Sequence, residues 1–185
     1  RDAIGAGLVY LTENRALEGL FLDLSIAKNI SVMDLSLVAS LGLIQARAET
    51  ELAERYSGEM QIKLANVAQK ANSLSGGNQQ KVLISKLLSV EPKVVIMDEP
   101  TRGIDIGSKA QIYHLLRRLA SEGIGVIMIS SELPEIIGVC DRVAVMYEGR
   151  ICGILEGDDV NERSIIQMAC LSSEERETQA TGAAL

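Results

Sequence analysis

Leu74-Ser75-Gly76-Gly77-Asn78-Gln79-Gln80-Lys81 and, further along, Val94-Val95-Ile96-Met97-Asp98-Glu99-Pro100-Thr101-Arg102-Gly103-Ile104-Asp105 decide the reading of this chain. In the first segment a serine and two glycines open a long stretch with apolar residues at helical spacing. Small residues at a helix N-terminus leave backbone N–H groups free, and the helix dipole there favours an anion, so this is a phosphate-facing surface. In the second, Val94 to Met97 form an apolar run that reads as a buried parallel strand and delivers Asp98 and Glu99 at its end. Two adjacent carboxylates suit a magnesium ligand beside a general base: magnesium takes one or two carboxylates plus waters and phosphate oxygens, and a base must reach its attacking water. Each segment alone is ambiguous. A Ser-Gly-Gly is a common helix cap, and an apolar run ending in Asp-Glu is commonly a strand entering a polar loop. Their order and their spacing, about a helix apart, make the pair specific.

The bulk properties exclude several classes. At 185 residues the chain has the length of one domain with a sizeable core. Apolar residues make up 47% and aromatics 3%, which favours aliphatic α/β packing over a β-sandwich or disorder. A formal charge of -7 argues against nucleic acid and against direct binding to anionic lipid, because both need clustered Lys and Arg. Cys140, Cys152 and Cys170 show neither a disulfide framework nor zinc-ligand spacing, and free thiols in a reducing compartment are the simpler account. No apolar run reaches the roughly 18–20 residues that span a bilayer, and no signal peptide opens the sequence, so a membrane role is expected to run through a partner.

Outward from the deciding stretch, residues 4–11 read as a short strand leading into Thr12-Glu13-Asn14-Arg15. Residues 20–37 hold a helix with Ser25 as N-cap. Residues 45–60 form a charged helix, and the helix behind Gly77 runs to about Ser89, where Glu91-Pro92 stops it. Residues 107–122 place Ile112, Leu115, Leu116 and Leu119 on one helix face. His114, the only histidine, falls between them and reads as a surface or boundary residue, a poor catalytic candidate. Residues 124–129 form a second buried strand, ending in Ser130-Ser131-Glu132. A short helix at 133–139, strands at 141–146 and 150–155 joined by a Glu148-Gly149 turn, and a helix at 161–169 complete the pattern.

On these motifs the chain resembles an ABC transporter ATPase, and more closely the second of two fused cassettes in the ATPase subunit of ribose, galactose and xylose type sugar importers. The likeness runs from about Asp2 to Ala169. It implies an α/β, P-loop NTPase-like cassette: a mostly parallel sheet, a helical subdomain at about 20–90 that contains the signature, a core at 91–170 with a C-terminal hairpin, and a disordered tail at 171–185. It implies that Leu74, Ser75, Gly76, Gly77 and Gln79 belong to the nucleotide-binding signature. Asp98 becomes the aspartate associated with Mg2+ through water, Glu99 the catalytic glutamate, and Gly103 and Asp105 part of the D-loop. Glu13 occupies the Q-loop position, where the related cassettes carry Y-V-P-E-D-R; Tyr10 and Glu13 match that pattern, while Thr12 and Asn14 depart from it. Ser131 stands at the switch position that most cassettes fill with histidine. A hydroxyl cannot carry positive charge there, so transition-state stabilisation by that group should be weaker.

No G-x-x-x-x-G-K-[ST] phosphate loop occurs in the sequence. The expectation is a cassette lacking its N-terminal P-loop portion, which on its own binds ATP poorly and hydrolyses it negligibly. The sheet edge left open should be covered by another chain, another segment or self-association. In the assembly, the resemblance implies ATP and Mg2+ as cofactors and ATP hydrolysis coupled to import of a sugar or related solute. The implied partners are a P-loop-bearing cassette, a membrane permease subunit and, indirectly, a periplasmic sugar-binding protein. The implied location is cytoplasmic, peripheral on the inner face of the plasma membrane. The alternative is a catalytically degenerate module that completes a partner cassette's ATP site.

Overall fold

The computed structural model describes residues 2–170; the tail expected at 171–185 lies outside them. In chain order the elements are α1 (Asp2–Gly5), β1 (Leu8–Leu11), α2 (Ile26–Ser31), β2 (Ala39–Ser40), β3 (Leu43–Ile44), α3 (Ala46–Glu59), α4 (Gly76–Leu88), β4 (Val94–Asp98), α5 (Ile106–Ser121), β5 (Gly125–Ile129), α6 (Leu133–Val139), β6 (Arg142–Tyr147), β7 (Arg150–Glu156) and α7 (Glu162–Cys170). The chain divides into two compact units, Arg1–Ile129 and Ser130–Leu185.

In the first unit a parallel sheet in the order β1-β4-β5 forms the base of the site. Leu8 stands opposite Val94, Leu11 opposite Met97 and Asp98 opposite Ile129. Side chains alternate across a strand. Val9, Leu11, Val95 and Met97 are therefore buried together, on the side of the sheet where α4 packs by β1 and α5 by β5. The opposite face carries Leu8, Tyr10, Ile127 and Ile129, which are 36–51% exposed. Two sequence expectations are corrected here. The strands at 94–97 and 124–129 were expected to be buried; β4 is buried at Val95 and Met97 and half-buried at Val94 and Ile96, whereas no residue of β5, the outer strand of the sheet, is fully buried. The strand expected over 4–11 is confined to Leu8–Leu11; Asp2–Gly5 is a helical turn, and Gly7 at φ +81° lets the chain change direction between them.

The helical part of this unit joins α2, α3 and α4. Ile26 and Ile30 on α2 and Val82 and Ile84 on α4 are completely buried, each worth about 1.5–3 kcal/mol relative to exposure. Ser25 caps α2 by accepting from the Lys28 amide at 3.2 Å. Asn29 is buried as deeply as these aliphatics because the chain closes around its amide. Its Oδ1 accepts from the Phe21 N–H at 2.8 Å, while Nδ2 donates to the carbonyls of Phe21 at 2.9 Å and Ser25 at 3.0 Å. Replacing Asn29 with leucine leaves these backbone groups unpaired and is expected to cost about 1–3 kcal/mol in urea unfolding. A neutral result would mean that water replaces the amide.

In the second unit, β6 and β7 pair antiparallel around Glu148 and Gly149, both left-handed at φ 47° and 77°, as a two-residue hairpin turn requires. Val143, Val145 and Leu155 bury against Ile165 of α7, with Leu133, Ile136 and Met168 at the margin. The expected hairpin and final helix are both present.

Candidate nucleotide-facing site

At the C-terminal end of β4 the sheet hands over its two carboxylates. Asp98 shares a face with Tyr10, since Tyr10 stands opposite Ile96 and Asp98 lies two residues further on. The phenol donates to Asp98 Oδ2 at 2.6 Å, and this bond to the carboxylate raises the Tyr10 pKa above its ordinary 10.0. A raised pKa means that the bond's contribution is complete below the phenol's ordinary value and is lost as pH rises through the folded one. Asp98→Asn should therefore bring the tyrosine ionisation seen by ultraviolet absorbance back toward 10.0; subtracting a Tyr10→Phe titration isolates this residue from the other tyrosines. An unshifted curve would disprove the bond.

Glu99 follows in a strained backbone state, φ +46°, with its N–H bound to the Ile129 carbonyl at 2.9 Å. Left-handed geometry is uncommon for a residue with a Cβ and persists only where the surroundings impose it. Here β5 supplies the constraint, so the Glu99 side chain leaves the end of the sheet at a fixed angle.

The remaining motifs meet on Arg15, to which the sequence reading assigned no role. Its Nη1 donates to the Arg102 carbonyl at 2.8 Å and its Nη2 to the Gly103 carbonyl at 3.3 Å. Glu13 forms an ion pair with Arg102. The Glu13–Arg15 loop and the segment at Arg102 and Gly103 are thus stitched together across more than eighty residues of sequence. The same guanidinium lies over Gly76: a Cβ there would fall 2.7 Å from Arg15 Nη2 and 3.2 Å from the Gly103 carbonyl oxygen. A Cβ on Gly77 would fall 2.4 Å from Ser108 Oγ. Ser108 is held in place by Asp105, the N-cap of α5. The Asp105 carboxylate accepts from the Ser108 N–H at 2.9 Å and from its hydroxyl at 2.8 Å. The hydroxyl bond first, then the amide bond, lowers the Asp105 pKa, so this cap is present above the ordinary aspartate range and is lost as pH falls through the lowered value. Close packing against Ser108 therefore requires a glycine at position 77, while at Gly76 a Cβ would press on the movable end of Arg15 and on the Gly103 carbonyl.

Ser75 is exposed at the start of α4. Beside it lies a shallow groove of about 670 Å³, lined by Lys63, Leu64, Ser73, Leu74 and Asn78 among others. Leu74 is buried. Gln79 turns inward, donating to the carbonyls of Ala71 at 3.3 Å and Leu74 at 3.2 Å, so its amide braces the connector while Asn78 stands beside Ser75. Ser131 is exposed and belongs to the second unit. His114 is exposed on α5, away from these groups in sequence. A separate hollow of about 470 Å³, lined by Tyr56, Glu59, Arg118 and Glu122 among others, touches none of the motif residues.

Among the described residues no group of three or more His, Cys, Asp or Glu side chains could hold a metal ion. Asp98 and Glu99 fit a magnesium ion that brings most of its ligands as waters and phosphate oxygens, and do not fit an all-protein cage.

A parallel sheet ending in Asp-Glu, joined through Arg15 to a Ser-Gly-Gly helix start, defines an ATP-binding cassette fold, and the chain belongs to the ABC transporter family, whose model matches residues 2–102. The chain is 54% identical over 168 residues to the ribose import ATP-binding protein RbsA 2 of Rhizobium meliloti, covering 91% of this chain and 33% of that protein. It is 50% identical over 185 residues to the ribose import ATP-binding protein RbsA of Ruegeria sp., covering 100% and 35%. The chain thus spans about a third of the length of these relatives. Among solved structures, MJ1267, an ATP-binding cassette of an ABC transporter, superimposes with a TM-score of 0.70 at 19% identity, covering 90% of this chain and 70% of that one. Among the described residues no helix is long and apolar enough to cross a membrane.

Proposed function

We propose that the chain is the signature and Walker B part of an ATP-hydrolysing cassette that drives import of ribose or a similar small solute. Ser75, Gly76 and Gly77 close on nucleotide held by the P-loop of a second cassette, while Asp98 and Glu99 serve the nucleotide site of their own cassette. The observation that carries this reading is the Arg15 junction, which holds the Q-loop position, the D-loop and Gly76 in one body. Glu99 would accept the proton of the attacking water, and Asp98 would help to hold Mg2+. Bound Mg2+ would offset the charge of the phosphate oxygens. The exposed face and outer edge of β5 support a P-loop strand and helix completing this cassette's own sheet. The relatives' names, ribose import ATP-binding proteins, support ribose as the solute; a membrane permease as the partner, a periplasmic sugar-binding protein upstream and a place on the cytoplasmic face belong to the same proposal.

A second reading, a degenerate module that only completes the partner's site, draws on Ser131 at the switch position. The test of the shared core of both readings is calorimetric titration of Mg-ATP into the chain, alone and mixed with a P-loop-bearing cassette of known ATP affinity. A silent chain that tightens the partner's affinity supports closure by Ser75–Gly77. Tight binding by the chain alone would overturn it and require another phosphate cradle within this sequence.

A further inference from the structure

Ser75 occupies the N-cap position of α4, yet its hydroxyl makes no cap bond to the helix backbone. Its Oγ instead accepts from Asn78 Nδ2 at 2.9 Å. The Oδ1 of the same amide accepts from the Lys63 backbone N–H at 2.9 Å. The second bond determines the sense of the first. A peptide N–H can only donate, so the atom facing Lys63 must be the amide oxygen and the atom facing Ser75 must be the NH2. A flipped amide would set donor against donor at Lys63. Ser75 Oγ is therefore obliged to accept from Asn78, and its own proton must point elsewhere. Ser75 is exposed, so on the outer side of α4 its proton is left free to donate, beside its one remaining lone pair.

We infer that Asn78 is a positioning residue that sets the hydrogen-bond polarity of Ser75, holding it as a donor toward an anionic oxygen of the bound nucleotide. This rests on the reading above, in which Ser75 closes on nucleotide held by another cassette. A donor fixed before the ligand arrives needs no reorientation when charge is presented to it. Asn78 also keeps the Lys63 segment beside Ser75, which is why both line the same groove.

Asn78→Asp tests the polarity directly. The carboxylate has nearly the shape of the amide and still accepts from the Lys63 N–H, but it offers Ser75 an acceptor, so the hydroxyl turns inward and the ligand loses its donor. Mg-ATP is titrated into the full chain mixed with the P-loop-bearing cassette, using the wild type, Asn78→Asp, Ser75→Ala and the double variant. Asn78→Asp should weaken nucleotide affinity about tenfold or more, and in the Ser75→Ala background it should add less than about threefold. The Lys63 amide should keep its hydrogen-exchange protection in Asn78→Asp. Unchanged affinity in Asn78→Asp overturns the assignment, as does an equal loss in both backgrounds, which would reflect charge repulsion alone. If Asn78→Asp does not fold, Asn78→Ala serves without added charge: a loss that shrinks in the Ser75→Ala background supports the assignment, and an undiminished loss overturns it. Ser75→Ala without any effect would instead overturn the closure reading itself, and this assignment with it.

Discussion

Replacing Glu99 with glutamine is expected to slow ATP hydrolysis by the assembled cassettes about 10²- to 10⁴-fold while leaving Mg-ATP binding in place. The substitution keeps the size and much of the hydrogen bonding of the side chain and removes only its capacity to take a proton. The backbone supports this reading, because Glu99 is held at φ +46° by the bond from its N–H to the Ile129 carbonyl. A conformation of this kind costs of the order of 1–3 kcal/mol and persists because the end of β5 enforces it. Steady-state phosphate release, measured beside equilibrium binding, separates loss of chemistry from loss of affinity. A rate that does not change would place turnover at the partner's site and favour the module reading, to which Ser131 already inclines.

Gly77→Ala should weaken nucleotide closure roughly ten- to a hundredfold and destabilise the first unit by about 1–3 kcal/mol. The new Cβ would lie 2.4 Å from Ser108 Oγ and 2.7 Å from Ser108 Cβ. Ser108 cannot turn away without giving up Asp105, whose carboxylate holds both its amide and its hydroxyl. The start of α5 must therefore shift away from the start of α4, taking Ile104, 3.2 Å from the same Cβ, with it. Thermal unfolding and Mg-ATP titration together check the claim. Removing the obstacle with Ser108→Gly should restore part of both losses; failure to do so would exclude the clash as the cause.

What the sequence made legible was local. The helix expected at 45–60 is Ala46–Glu59, and the one expected at 107–122 is Ile106–Ser121, because apolar spacing and caps report on neighbours three and four residues away. The hairpin followed from Glu148-Gly149 for the same reason. Asp98 and Glu99 were legible because strand and turn chemistry fix their place at the end of β4. The contacts that organise the site were not. Tyr10 reaches Asp98 across 88 residues and Arg15 reaches Gly103 across the same distance, and no periodicity encodes such pairs. Arg15 stood in the sequence as one more charge in a polar loop. Gln79 matched the signature pattern by letter, but its amide was already committed to Ala71 and Leu74, while Asn78, inside the same stretch, held the serine. The glycines were read for their exposed N–H groups; the close approach of Arg15 and Ser108 needed the fold to be seen.

Because Arg15, beside the Glu13–Arg102 ion pair, ties the loop that holds Glu13 to the carbonyls of Arg102 and Gly103 and covers Gly76, a displacement of that loop must either break these contacts or carry the Arg102–Gly103 segment and the start of α4 with it. Such a tie gives the two ends a shared free energy, and thermodynamic linkage makes it reciprocal: an event at the loop that eases closure by a given factor is itself eased, by the same factor, once closure has occurred.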